Sequence, residues 1–143
     1  MELFVYGTLM VPAVMRGVCG YTDVGMPAQL RGYRRRLIRG EVYPGIVSDP
    51  AETVEGLVYH GVTSQQIALL DAFESDFYER RVVSVSTRGT DLSAEAYVLH
   101  EAHLALLSDR PWSLSQFHAE GIHRFTGEYR GFARVAAGTQ DDD

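Results

Sequence analysis

One stretch constrains this chain more than any other: Thr63–Arg80, TSQQIALLDAFESDFYER, a single well-signalled helix set between β-rich runs. Thr63 is placed to cap it, and Gln66 three residues on completes a capping box, in which side chain and backbone satisfy each other's unpaired N–H groups. Ile67, Leu70 and Glu74 stand at i, i+3 and i+7 and so share one face, with Leu69 and Phe73 expected to widen the apolar stripe. At about 100° per residue, Glu74 projects between Ile67 and Leu70. Asp71 falls at the edge of the stripe, in an exposed or capping role. Most glutamates are solvated, but Glu74 stands against two costs: an apolar stripe, and a helix C-terminus where the macrodipole disfavours negative charge. A carboxylate placed against such costs points to function ahead of a solvated helix end.

Around this helix the chain is rich in strands. Leu3–Tyr6 is β-prone and apolar throughout, the profile of a buried first strand, and it ends at Gly7-Thr8-Leu9. Pro12 opens a short helix over 13–18. Residues 26–33 and 34–39 suit two strands punctuated by Gly32 and Gly40, and the cluster Arg31, Arg34, Arg35, Arg36 and Arg39 is read as a charged sheet edge. Tyr43-Pro44-Gly45-Ile46 has turn chemistry. Residues 54–62 should form a central strand, and 77–87 pairs with 92–99 through a hairpin at Arg88-Gly89. Helical character returns over 103–107 and 113–125, residues 127–132 read as an ordered peripheral loop, and the acidic end 138–143 is expected to fray. The connections are too short for helical crossovers, so the sheet should be largely antiparallel and curl toward a barrel. The fold class is α+β, a single domain over 1–137 with a disordered tail.

Composition removes several function classes. All thirteen basic residues are Arg, so Schiff-base chemistry and the P-loop lysine are both excluded. Half of the formal net charge of −6 sits in Asp141–Asp143, and the balance gives no case for nucleic acid. Cys19 is the one cysteine, which excludes a disulfide framework and a thiolate metal site and suits a small buried hydrophobe. His100 and His103 lack the i, i+4 spacing of a zinc helix, and neither a nucleophile elbow nor a dinucleotide loop is present. The N-terminus lacks the pattern of a signal peptide, and no stretch reaches membrane-spanning length, so a cytoplasmic protein is expected. Two features remain: Glu74 as a general base, and a glycine turn at Gly7 able to aim backbone N–H groups at a carboxylate.

Taken in order, Tyr6-Gly7-Thr8-Leu9, Arg31-Gly32-Tyr33-Arg34, Tyr43-Pro44-Gly45-Ile46, Val54-Glu55-Gly56-Leu57-Val58-Tyr59, Leu70-Asp71-Ala72-Phe73-Glu74 and Tyr78-Glu79-Arg80 cover most of residues 3–99. This ordered set resembles the gamma-glutamylcyclotransferase-like superfamily, within it the avirulence-induced-gene-like and gamma-glutamylamine cyclotransferase branch. The resemblance implies a small mixed barrel with surrounding helices and a cavity beside the first strand's loop. It implies Glu74 as the catalytic acid/base, and Tyr6, Gly7, Thr8 and Leu9 as the loop that holds substrate through backbone amides. Ser75 departs from the pattern, since many members have Gly there, and this bears on the shape of the pocket mouth. Beyond residue 100 the likeness is loose, at Trp112 and Tyr129.

The implied reaction is an intramolecular aminolysis of a gamma-glutamyl amine or related small molecule, releasing 5-oxoproline and an amine. It needs no metal, cofactor or covalent nucleophile, and one carboxyl group can act as base and then as acid. Burial should raise the pKa of Glu74 accordingly. Tyr43 would wall the cavity and Tyr78 would donate a hydrogen bond near Glu74, with a structural role competing at both. Two further readings are a non-catalytic small-molecule or partner-binding module and a gamma-glutamyl amide hydrolase.

Overall fold

The computed structural model describes residues 1–121. Its elements are β1 (Leu3–Val5), a 3-10 turn (Thr8–Met10), α1 (Pro12–Cys19), β2 (Met26–Leu37), β3 (Pro44–Tyr59), α2 (Ser64–Glu74), β4 (Tyr78–Thr87), β5 (Thr90–Leu99), a 3-10 segment (Glu101–Leu106) and α3 (Leu114–Gln116), which runs into a π turn over Phe117–Gly121. The five strands close into a barrel in the order β1–β3–β2–β4–β5. Every pairing is antiparallel but one: β1 runs parallel to β5, with Leu3 opposite Glu95. The fold is therefore α+β, a mixed and largely antiparallel barrel flanked by helices. Among the described residues no helix is long and apolar enough to cross a membrane. The remainder of the 113–125 helix, the 127–132 loop, and the 137/138 boundary with its tail lie outside the described residues.

The continuous apolar run at the N-terminus follows from burial on both faces of β1. Phe4, and Tyr6 just past the end of β1, join Leu30, Val54, Val58, Val83, Val85 and Ala96 of the other strands in a cluster that fills the barrel. Leu3 and Val5 point the other way, under Met15 and Val18 of α1 and Ile67 and Leu70 of α2. A strand covered on both sides shows no polar alternation. Gly56 is what lets β1 lie so close to β3, because a Cβ there would stand 2.2 Å from the Val5 carbonyl oxygen.

Helix α2 has the capping box expected of it. The Thr63 hydroxyl accepts from the Gln66 amide at 3.1 Å, and the Gln66 side chain accepts from the Thr63 amide at 3.0 Å. Ile67 and Leu70 are buried, but Leu69 is exposed, so the stripe is narrower than the spacing suggested.

Two strand boundaries and one sheet edge differ from the sequence-based expectation. Residues 26–37 form one strand, because Gly32 (φ +86°) makes a β-bulge between Arg31 and Tyr33 where a break was expected. Tyr43-Pro44-Gly45-Ile46 is not the turn; Pro44 starts β3, a position where its missing N–H costs nothing, and the chain turns over 39–43 instead. The arginine-rich end of β2 is not an open charged edge, since β3 lies on one side of it and the backbone of 106–110 covers the other. Leu37 and Arg39 donate to the Arg110 and Leu106 carbonyls, and Ser108 donates to Leu37. The hairpin from β4 to β5 turns through Arg88 and Gly89, both at positive φ, as a two-residue connection requires.

Candidate active site

The loop that leaves β1 is held from four directions. The Tyr6 hydroxyl donates to the Tyr97 carbonyl at 2.5 Å, and the Tyr59 hydroxyl donates to the Leu9 carbonyl at 2.7 Å. Arg35 donates to the Tyr6 carbonyl at 2.7 Å. Gly7 packs against Pro44 so closely that a Cβ would stand 2.7 Å from the proline ring, which is the physical demand for glycine at this position. The next three residues wind into a 3-10 turn, with Met10 donating to Gly7 and Val11 to Thr8. The amides of Thr8 and Leu9 open that turn and so have no acceptor within it.

The end of α2 lines the same cavity as this loop. Glu74 is its last residue, and Ser75 caps it with φ 56° and ψ −161°, a backbone region that non-glycine residues rarely occupy. Glu74 is half-buried, and it lines a cavity of about 260 Å³. Tyr6, Gly7, Thr8, Leu9, Tyr43 and Tyr78 line the same cavity, so all seven residues singled out from the sequence come together. Pro44, Phe73, Ser75, Phe77 and Tyr97 also line it and were not singled out. Of these, Pro44 and Phe73 stood in the ordered motifs and Ser75 was marked as the departure from glycine, whereas Phe77 and Tyr97 had no signal as site residues. The Tyr78 hydroxyl donates to the Pro44 carbonyl at 2.7 Å, so it also ties β4 to the start of β3.

The electrostatics of this wall favour a protonated Glu74. Burial pushes its carboxyl up to about 8, and the negative charge of Asp71, one turn earlier on α2, adds to the shift. Asp71 itself is drawn both ways. Burial would raise it, but hydrogen bonds from Arg80 at 2.9 and 3.1 Å and from the Tyr97 hydroxyl at 2.7 Å hold it below the ordinary carboxylate range. Arg80 also pairs with Glu95 of β5, which fixes α2 to the β4–β5 hairpin. Asp71, whose side chain is 41% exposed in keeping with the expectation, is thus a fixed charge beside a titrating one. Burial likewise raises the phenols of Tyr6 and Tyr97, which stay neutral donors across the physiological range.

Chemically, the cavity brings a carboxyl that exchanges a proton near neutral pH together with a loop whose Thr8 and Leu9 amides have no acceptor within their own turn. The first can take a proton from an ammonium group and return it. The second can receive a carboxylate or an oxyanion.

Comparison with known proteins places residues 3–114 within the family model described as "Gamma-glutamyl cyclotransferase, AIG2-like". AIG2-like protein D of Arabidopsis thaliana is 33% identical over 136 residues, covering 90% of this chain and 88% of its own. AIG2-like protein C of the same plant is 36% identical over 99 residues, 68% of this chain, and the match spans only 58% of that protein. A solution structure from Arabidopsis thaliana superposes with a TM-score of 0.68 at 29% identity, over 91% of this chain and 79% of that one. A structure titled gamma-glutamyl cyclotransferase shares the fold, with a TM-score of 0.57 at 16% identity over 70% and 66% of the two chains.

Proposed function

The chain belongs to the AIG2-like gamma-glutamyl cyclotransferase family, and from that premise we propose that it cyclises a gamma-glutamyl amine or a related gamma-glutamyl compound to 5-oxoproline and a free amine. The observation that carries this reading is the pair that lines one cavity: the Glu74 carboxyl, pushed up to about 8, and the turn over Gly7–Leu9.

The substrate's α-carboxylate sits on the open loop amides, and its α-ammonium is presented to Glu74. Ionised Glu74 takes one proton from the ammonium, leaving a neutral amine. The amine nitrogen attacks the γ-carbonyl carbon, forming the ring C–N bond of a tetrahedral intermediate. Glu74 gives its proton to the leaving nitrogen and takes the second proton from the ring nitrogen, which still carries two; collapse of the oxyanion then breaks the bond to the leaving amine and leaves the lactam N–H. The departing amine takes that second proton as an ammonium, so both protons shed by the substrate pass through one residue and the carboxylate is restored. Because the attack is intramolecular, the protein's work is to fold the substrate and to shuttle those protons. A base near 8 suits the task better than an ordinary glutamate, whose carboxylate is too weak to take a proton from an ammonium.

The test is incubation of the full chain with a panel of gamma-glutamyl amines, gamma-glutamyl amino acids and glutathione, with products identified by mass spectrometry. Formation of 5-oxoproline by the native chain and its loss in Glu74→Gln support the reading. Equal turnover by both proteins would remove Glu74 from the mechanism, and binding without turnover would favour a non-catalytic module.

A further inference from the structure

The bulge at Gly32 changes which side chains of β2 face inward. Before it, Ala28 and Leu30 are buried; after it, Tyr33 packs against the barrel core and Leu37 against the Trp112 cluster. The inward parity has moved by one residue, as a bulge requires. Arg35 is thereby carried to the inner side, while its neighbours Arg34 and Arg36 pair outward with Asp49 and Glu52. One Nη1 group of Arg35 donates to the Tyr6 carbonyl at 2.7 Å and to the Glu55 carbonyl at 2.8 Å. Its guanidinium lies 5.1 Å from the centroid of the Trp112 ring, within cation–π range. Trp112 is itself buried, and its indole N–H donates to the Val42 carbonyl at 3.0 Å.

Both hydrogen bonds end on neutral carbonyl oxygens, and among the described residues no carboxylate forms an ion pair with Arg35. The Glu55 carboxylate pulls on it, but that carboxylate also accepts from Gln29. The Tyr6 carbonyl belongs to the same peptide unit as the Gly7 N–H, and Gly7 lines the cavity. A charged donor on one end of a peptide polarises it and strengthens the donor at the other end.

We propose that Arg35 is a positioning residue for an anionic ligand: through the Tyr6–Gly7 peptide it fixes and polarises the loop that receives a carboxylate, and Trp112 holds it in that pose. The proposal deepens the reading of Gly7–Leu9 as a carboxylate site and rests on it. It also gives the segment after residue 100 a role in ligand choice, because the stacking partner comes from there.

The experiment uses two unreactive probes on the full chain, 5-oxoproline and 2-pyrrolidinone, which share a ring and differ by the carboxylate. Binding is followed by amide NMR shifts, with Gly7, Thr8 and Leu9 as reporters. Arg35→Gln should weaken 5-oxoproline by about tenfold and change 2-pyrrolidinone by less than about twofold. Trp112→Leu, which leaves the Tyr6 hydrogen bond possible, should weaken 5-oxoproline selectively and by less. Where Arg35→Gln does not fold, Arg35→Lys carries the test, with a selective loss of about threefold. Equal losses for both probes would make Arg35 merely structural and overturn the proposal, as would no loss for either. A wild type whose loop amides respond to neither 5-oxoproline nor acetate would overturn it too. Arg35-dependent binding of 5-oxoproline with no gamma-glutamyl compound turned over would sink the catalytic reading and leave this one standing.

Discussion

Glu74→Gln tests the electrostatics of the cavity independently of any substrate. Glu74 has an ordinary value of about 4.5 and is pushed up to about 8 in the folded chain, first by burial and then by Asp71. The folded state therefore holds a proton that the unfolded state gives up between those two values. The stability this confers is fully present below about pH 4.5 and is lost as pH rises through about 8. At about 1.4 kcal/mol per pH unit, the full interval corresponds to roughly 5 kcal/mol. Glu74 keeps some accessible surface on the cavity, so water screens part of this, and about 2 kcal/mol is the expected change. Glutamine does not titrate. In urea unfolding followed by circular dichroism, the variant should gain about 2 kcal/mol on the wild type between pH 4.5 and pH 8.5, equivalent to roughly 7 °C in melting temperature. Comparing the two proteins at each pH removes the contribution of every other titrating group. A stability difference that stays flat across this range would refute the raised pKa and, with it, the physical reason for choosing Glu74 as the base.

Other expectations follow from neighbouring geometry. Asp71→Asn removes the charge that supplements burial, so a carboxyl-detected NMR titration should find Glu74 below about 8 yet still above the ordinary glutamate range; an unmoved titration would show that Asp71 is not coupled to it. Ser75→Gly should stabilise the chain by roughly 1 kcal/mol in urea unfolding, because glycine occupies the φ 56°, ψ −161° conformation without the strain serine carries. Gly56→Ala forces a methyl to within 2.2 Å of the Val5 carbonyl oxygen and should cost at least about 3 kcal/mol, read as a large fall in melting temperature. Thr63→Ala breaks the capping box of α2 and should cost about 1 kcal/mol.

The parts of this fold that were legible in the sequence are the local ones. The capping box of α2, the doubly buried β1 and the Arg88-Gly89 hairpin are each specified within a dozen residues. The place of Glu74 at the end of α2 could be read the same way, from the stripe and the helix end, and there it lines the cavity. What escaped was decided by distant partners. Gly32 looked like punctuation, yet β3 pairs across it and makes it a bulge inside one strand. Pro44 and Gly45 looked like a turn, yet Gly7 and Leu99 pack on them as the start of β3. The charged edge assigned to the arginines was hidden by residues 106–110, and the parallel closure of β1 on β5 had no local signal at all. Arg35 was one of five clustered arginines until the bulge turned it toward Tyr6.

The most direct test of the central claim is to run the reaction of a gamma-glutamyl amine in water enriched in oxygen-18 and to weigh the acyl product. Intramolecular attack, with Glu74 moving the proton, predicts 5-oxoproline carrying no label from solvent. Glutamate carrying one labelled oxygen would show that water is the nucleophile, and the cyclotransferase assignment would be wrong.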